Sequence, residues 1–461
     1  MKRLLSATCA TLFCSQAFAT PVYHPYGPNL TYGAVSNGQS IMSDITNPAS
    51  GAATMEKQGG TFRFGVLSNI GAGFELGPID NMYDEIDFVI DDLSNSFANV
   101  DNTNASLVEQ SVINANDVLS RVQEDGYGKV FASLNVPLMP IVISANALGG
   151  SFVIDANASF IGKVSAFSDP ISFTGADVTN AQSFITANYG GGPVSSIFGD
   201  LTININGTSV TYDVDNDSSL VARLGGIVEL AVGYSMELTP FAGGKVFAGV
   251  RGKHYKVTLL QDAARVVSSS NNTQNYFDDL DLGDGKTSTG FGVDFGLLWV
   301  SDHMRVGATI ANINEPEFEY NSFDTTGYTD PTVLAVLNAV SQDKYVMERQ
   351  VTAEAALHSA DQNWVIAGSL DLNEVMDPTG DKYQWMAVSA AYATDSWWLP
   401  GIRAGYRVNR AGSELKYLTG GVTLFKSLNL DIAYSPDKVE DDNGNSVTRS
   451  FIINLGLELT F

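Results

Sequence analysis

Residues 446–461 read SVTRSFIINLGLELTF and close the chain. Phe451, Ile453, Leu455, Leu457, Leu459 and Phe461 take every second place, up to the terminal carboxylate. Between them stand Ser450, Ile452, Asn454, Gly456, Glu458 and Thr460. A period of two describes a strand with one apolar face and one mostly polar face. A strand in a soluble sandwich is usually shorter and is followed by a turn or tail. What the apolar face touches therefore decides the fold.

The same pattern recurs along the chain. In SLVARLGGIVELAVGYSMEL, residues 219–238, every even position from Leu220 to Leu238 is non-polar, while the odd positions include Arg223, Glu229, Ser235 and Glu237. Phe152, Ile154, Ala156, Ala158 and Phe160 oppose Ser151, Asp155, Asn157 and Ser159; Phe291 to Trp299 alternate against Asp294 and three glycines. Ile402 to Val408 oppose Arg403 and Arg407, and Leu428 to Tyr434 oppose Asn429 and Asp431. Globular strands mostly run to roughly 5–6 residues, whereas a tilted strand needs about 9–11 to cross a bilayer. These runs are of the second kind. The expectation is an all-β fold, a transmembrane antiparallel barrel with lipid against the apolar face and lumen against the charged one. Trp299, Trp364, Trp397, Trp398, Tyr406 and Tyr434 near strand ends fit interfacial girdles.

Strands are expected to start near residues 61, 128, 151, 219, 241, 287, 303, 349, 362, 384, 400, 414, 428 and 449, which makes 14. Short connections, such as Thr239-Pro240, Ser301-Asp302 and Lys426-Ser427, alternate with longer ones, near 79–127, 163–218, 259–286, 313–348, 374–383 and 437–448. That alternation places short turns in the periplasm and long loops outside. The second strand changes phase: Val130 to Val136 are apolar at even positions and Ile141 to Ala147 at odd ones, with Pro137 and Pro140 at the switch. A bulge or kink is the economical reading, since proline donates no ladder hydrogen bond; a tight hairpin is the alternative. Residues 84–125 carry helical spacing, in Ile86, Val89, Ile90, Leu93 and Phe97 and again in Leu107, Val112, Val118, Leu119 and Val122. They form a helical insertion in an outer loop. Val333 to Val340 is a shorter helical stretch, and residues 202–214 form a hairpin turning on Asn206-Gly207.

The N-terminus places the chain. Lys2 and Arg3 precede the apolar run Leu4 to Phe13, and Ala17-Phe18-Ala19 offers a cleavage site, so residues 1–19 are expected to be a secretory signal peptide. Its removal takes the 25 Lys+Arg down by two against 51 Asp+Glu, moving the formal charge from −26 to −28. So acidic a chain is not expected to bind nucleic acid or anionic headgroups directly. Cys9 and Cys14 both leave with the leader, excluding disulfide, thiol and thiolate-metal chemistry from the mature chain. The four histidines are scattered and no Gly-x-Ser-x-Gly motif is present, so neither an enzyme nor a cofactor is expected. Asp213, Asp215 and Asp217 have the spacing of calcium loops but lack the EF-hand glycine and distal glutamate. They are a candidate metal site, with solvated acidic loop as the plainer reading.

Ahead of the first strand, residues 20–60 are rich in Gly, Ser, Asn and Ala with no clear period, and are expected to plug the lumen of a barrel spanning 61–461. Arg63, Arg223, Glu229, Glu237, Lys245, Arg251, Asp294, Arg305, Glu354, Arg403 and Arg407 fall on polar faces and are the candidate lumen charges. They either hold wall and plug together or anchor Asn47-Pro48-Ala49 releasably. With the 14-strand count, the terminal Phe461 and the total length, Asn47-Pro48-Ala49 before the first strand resembles FadL-type outer-membrane transporters of hydrophobic compounds. YGPNLTYG, residues 26–33, with the following NPAS also looks like the TraF-labelled barrels of conjugal transfer. The family pattern usually continues with Gly-Leu-Ala-like residues, where this chain reads Ser50-Gly51-Ala52-Ala53; the redox-type TraF would need cysteines. The resemblance implies an N-terminal hatch and hydrophobic ligands bound among outer loops. It further implies a kinked strand opening into the bilayer near Pro137 and Pro140, and insertion in the Gram-negative outer membrane by the barrel-assembly machinery reading Phe461. The implied function is passive uptake of long-chain fatty-acid-like molecules. A conjugal-transfer surface barrel and a porin-like channel are the alternatives.

Overall fold

The computed structural model describes residues 27–36, 40–58, 61–80, 103–214, 216–265, 280–326, 328, 331–361, 363–393, 397–441 and 444–460. The signal-peptide residues, Ile86 to Phe97, Asp215 and Phe461 lie outside them. Fourteen antiparallel positions close into one barrel: β1 (Phe62–Leu76), β2 in two pieces (Tyr127–Asn135 and Ile141–Ala145), β3 (Gly150–Phe167), β4 (Ser219–Glu237), β5 (Lys245–Arg265), β6 (Lys286–Val300), β7 (Met304–Ala311), β8 (Gln350–His358), β9 (Trp364–Asp371), β10 (Trp385–Tyr392), β11 (Gly401–Asn409), β12 (Lys416–Leu424), β13 (Leu428–Tyr434) and β14 (Ser450–Thr460). Each pairs with its sequence neighbour, and β14 closes on β1, with Phe74 opposite Phe451. No helix among the described residues is long and apolar enough to cross a membrane.

Alternation works as the sequence implies in the half with short turns. Along β4, Leu230, Val232 and Met236 face outward and are exposed, while Glu229, Ala231 and Ser235 are buried against the lumen. Near the short turns the exposed Trp397 and Trp398 pack on Phe425, and the exposed Trp364 packs on Tyr392. The long-loop half departs from it. Leu220 and Ala222 share the outward parity of Leu230, yet they are buried, and Leu220 joins Val112, Leu119 and Ile171 in a separate core. There β3, β4 and β5 rise to 18, 19 and 21 residues, beyond what a bilayer needs, and a surface module packs on β3 and β4.

That module consists of a helix, Ala105–Asp125, a second helix, Gly175–Asn188, and a three-stranded sheet of Gly191–Phe198, Leu201–Gly207 and Ser209–Val214. The first helix buries Val108, Val112, Ala115, Leu119 and Val122; Leu107 lies off that stripe and is exposed, correcting its place in the expected one. The second helix carries a Thr174/Asp177 capping box that the apolar pattern did not announce. The expected hairpin forms, with Asn206 opposite Ser209. The expected helix near 333–340 spans Pro331–Val340.

Candidate functional site: the plugged lumen and its seam

Residues 27–36 and 40–58 lie in the lumen and include short helices, α1 (Asn29–Tyr32), α2 (Met42–Thr46) and α3 (Ser50–Gln58). Ile41, Met42, Ile45 and Met55 pack on Val142 and Val153 of the wall, while much of the rest of the plug is small or polar and presents backbone groups. The wall reaches in to meet those groups, because a buried amide or carbonyl without a partner is costly. Arg407 donates to the Leu30 carbonyl at 2.9 Å, Arg305 to that of Ser36 at 2.6 Å and Arg251 to that of Ile45 at 2.5 Å. Carboxylates take the amides and hydroxyls. Glu354 accepts from the Ser36 amide and hydroxyl, Glu458 from Ser40 Oγ at 2.7 Å and the Ile41 amide at 2.8 Å, and Asp431 from Thr31 Oγ1 at 2.8 Å. Asp431 also holds Arg403, whose guanidinium lies over Tyr32.

A buried ion pair ties plug to wall: Arg63 NH1 to Asp44 Oδ2 at 3.0 Å, both side chains almost wholly buried. Burial pushes the Asp44 carboxyl up; Arg63 and hydrogen bonds from Thr54 and Ser50, each at 3.0 Å, oppose it.

Asn47-Pro48-Ala49 sits in a cradle. Asn47 Nδ2 donates to Glu354 Oε1 at 2.7 Å and to the Leu297 carbonyl at 3.2 Å, while its Oδ1 accepts from the Ala49 amide at 2.9 Å. Gly249 and Gly296 face each other across β5 and β6 beneath it. A Cβ at Gly249 would stand 2.1 Å from the Pro48 carbonyl oxygen, and one at Gly296 would stand 2.1 Å from Asn47 Oδ1. Only glycine lets the turn lie this close to the sheet.

The remaining lumen charges sort by height. Asp294 lies opposite Arg251 and binds it at 3.0 Å, with Lys253 at 2.7 Å; Glu229 is 3.8 Å from Arg251. These groups line a cavity of about 110 Å³ between plug and wall. Higher up, Arg223 donates to the Thr379 carbonyl. Glu237 and Lys245 lie at the short-turn rim with Glu56, half-exposed. The aspartate triplet does not converge: Asp213 accepts from Asn204 on the exposed sheet, whereas Asp217 is buried and paired with Arg265. Among the described residues no group of three His, Cys, Asp or Glu side chains is placed to hold a metal.

Toward the long loops the lumen changes character. The hairpin Glu317–Glu319/Lys344–Val346 and the ladder Val375–Met376/Lys382–Tyr383 fold inward. Phe318, Tyr320, Tyr345 and Tyr383 thereby pack on Tyr255, Trp385 and Tyr417 of the wall in one aromatic core. Asp377 and Asp381 of the second loop reach Lys129 on β2, and Asp381 also reaches Lys163 on β3, almost across the barrel from β9 and β10, which the loop joins. Burial pushes the Asp381 carboxyl up, but the two ammoniums outweigh it and hold it below the ordinary carboxylate range.

The phase change at Pro137 and Pro140 is a break, and the hairpin alternative fails: both pieces of β2 pair with β1 on one side and β3 on the other. Four hydrogen bonds stitch the break: Val136 amide to Ala156 carbonyl at 2.9 Å, Leu138 amide to Val66 carbonyl at 3.0 Å, Gly65 amide to Pro140 carbonyl at 3.0 Å, and Ser68 Oγ to Met139 carbonyl at 2.6 Å. The pairing of β1 with β14 shifts register at the same height, between Gly65 and Ile70. This seam meets the plug, since the Gly27 amide donates to Asn69 Oδ1 at 3.0 Å. Asp44, Ser36 and Gly249 escape the sequence reading, while Gly296, Asp431 and Glu458 stand on its polar strand faces but outside its candidate set.

A closed antiparallel barrel with its own N-terminal segment tied inside defines the class, a plugged transmembrane β-barrel. Residues 44–371 match the family described as F plasmid transfer operon, TraF, protein, and the chain belongs to that family. No characterised protein matched in a sequence comparison. Among solved structures, a TodX deltaS2S3 mutant, titled a monoaromatic hydrocarbon channel, is 12% identical over 94% of this chain and 99% of its own, with a TM-score of 0.41. A Pseudomonas aeruginosa FadL homologue is 10% identical over 97% and 100%, with a TM-score of 0.34.

Proposed function

We propose that the chain is an outer-membrane channel for passive uptake of hydrophobic small molecules of the long-chain fatty-acid kind, with residues 20–60 as its hatch. The observation that carries this reading is the pairing of an axis blocked by a tethered plug with a stitched break in the wall at plug height. A porin-like channel would need an open axis. Here an apolar molecule would enter among the aromatic side chains of the outer mouth and leave sideways between β1 and β3. The same reading has residues 1–19 cleaved on export and Phe461 read by the assembly machinery.

Two measurements test it. Calorimetric titration of the purified mature protein with a long-chain fatty acid should show saturable binding. A disulfide between Val66→Cys and Leu138→Cys should lock the seam and abolish uptake by cells, with recovery on reduction. Unimpaired uptake through a verified cross-link would overturn the lateral route. The surface module favours a second reading, a conjugation-linked surface protein. Removing residues 175–214 should then abolish plasmid transfer and spare ligand binding.

A further inference from the structure

We infer that the cavity between plug and wall is a binding site for a small monovalent cation, either an alkali ion or a primary ammonium group. Its lining carries four carboxylates, Asp155, Glu229, Asp294 and Asp371, against three cations, Arg251, Lys253 and Arg407. The cations are committed elsewhere. Arg251 and Lys253 both bind Asp294, while Arg407 donates to the Leu30 carbonyl and stacks on Trp385 at 4.3 Å. Glu229 retains a share of Arg251.

Asp155 and Asp371 make no direct ion pair among the described residues; Arg251 and Arg407 act on them only from beyond contact distance. Asp155 accepts from Asn135 at 3.1 Å and Asn157 at 2.7 Å. Asp371 accepts from Gln350, Thr352 and the Trp385 amide at 2.8–2.9 Å. Both are buried, and among the described residues neither lies within ion-pair distance of a Lys or Arg. A buried carboxylate without a direct ion pair is costly unless it takes up a proton or another positive charge arrives.

A second observation points the same way. Asn29 Nδ2 is held by the Met42 carbonyl and Thr46 Oγ1, Asn157 Nδ2 by Asp155, and Gln350 Nε2 by Asp371. Their acceptor partners set the amide orientation. The three amide oxygens then point away and find no partner, although each residue is at least nine-tenths buried and lines this cavity.

The site thus offers carboxylate and amide oxygens, with no imidazole or thiolate, which is a donor set for a hard cation. About 110 Å³ holds one small ion with several waters. Among the described residues no three of these carboxylates stand close enough together to cage a metal, which favours a singly charged ion over a divalent one. Asn29 comes from α1 and the rest from the wall, so the ion would clasp plug to barrel.

The full-length mature protein in non-ionic detergent is titrated with NaCl, KCl and methylammonium chloride at constant ionic strength, set with N-methylglucamine chloride. The thermal midpoint and the fluorescence around Trp385 should respond saturably. The response should weaken about tenfold or more in Asp155→Asn or Asp371→Asn, the effect of losing one charged partner. The sodium NMR linewidth of the wild type reports binding without any variant and separates a lost site from a misfolded one. A response to methylammonium alone would assign the site to an amine, and one to Na⁺ or K⁺ alone to an alkali ion. No saturable response to any of the three would overturn the site, as would one unaltered in both variants. Binding of CaCl₂ alone would overturn its monovalent character.

Discussion

The two halves of the lumen are closed by different chemistry. Near the short turns, the wall grips the plug's backbone with buried Arg251, Arg305, Arg407, Glu354 and Glu458, and its Asp44 side chain with Arg63. Near the long loops, inward hairpins contribute Phe318, Tyr345 and Tyr383, and the closure is aromatic packing. The polar closure is directional, because each donor must meet its acceptor; the aromatic one tolerates rearrangement, because area matters more than angle. The lower closure therefore suits a fixed hatch and the upper one an adaptable mouth.

Arg63→Ala attacks this difference most strongly. It leaves Asp44 buried without its ion pair, a loss of about 3–5 kcal/mol in such settings. The plug should loosen, read as higher single-channel conductance with the heat-modifiable gel shift of the barrel retained. Unchanged conductance would mean the pair does not hold the hatch.

Phe318→Ala probes the other half. Phe318 is fully buried, edge-on to Tyr255 at a centroid distance of 6.0 Å. Its truncation should cost about 3 kcal/mol in thermal stability yet leave axial conductance closed. A conductance step here would erase the distinction between mouth and hatch.

Gly249→Ala places a methyl group against the Pro48 carbonyl. Overpacking of this kind costs about 1–3 kcal/mol. Although milder than Phe318→Ala in stability, it should leak more, since it displaces the plug. Equal tightness to wild type would show that the cradle is not needed for closure. Lys245→Ala comes last. Lys245 with Glu56 and Glu237 is half-exposed at the rim, where water and salt screen the pairs. Neither conductance nor melting should change measurably, at low or high salt.

Much of the architecture was legible in the residues. Alternation in β4, β6 and β14 dictated strands, their length dictated a membrane, and turn spacing dictated 14 positions, because a period of two leaves a side chain only two directions. The seam announced itself as a change of parity around Pro137 and Pro140. Only the tertiary structure decided that Leu220 packs under a surface module rather than lipid, since parity names a face and not its neighbour. It alone joined Asp44 to Arg63, Ser36 to Glu354 and Thr31 to Asp431, because partners 19, 318 and 400 residues apart share no local pattern. It alone left Asp155 and Asp371 without direct ion pairs, because the geometry of a closed barrel, not composition, determines which charges meet.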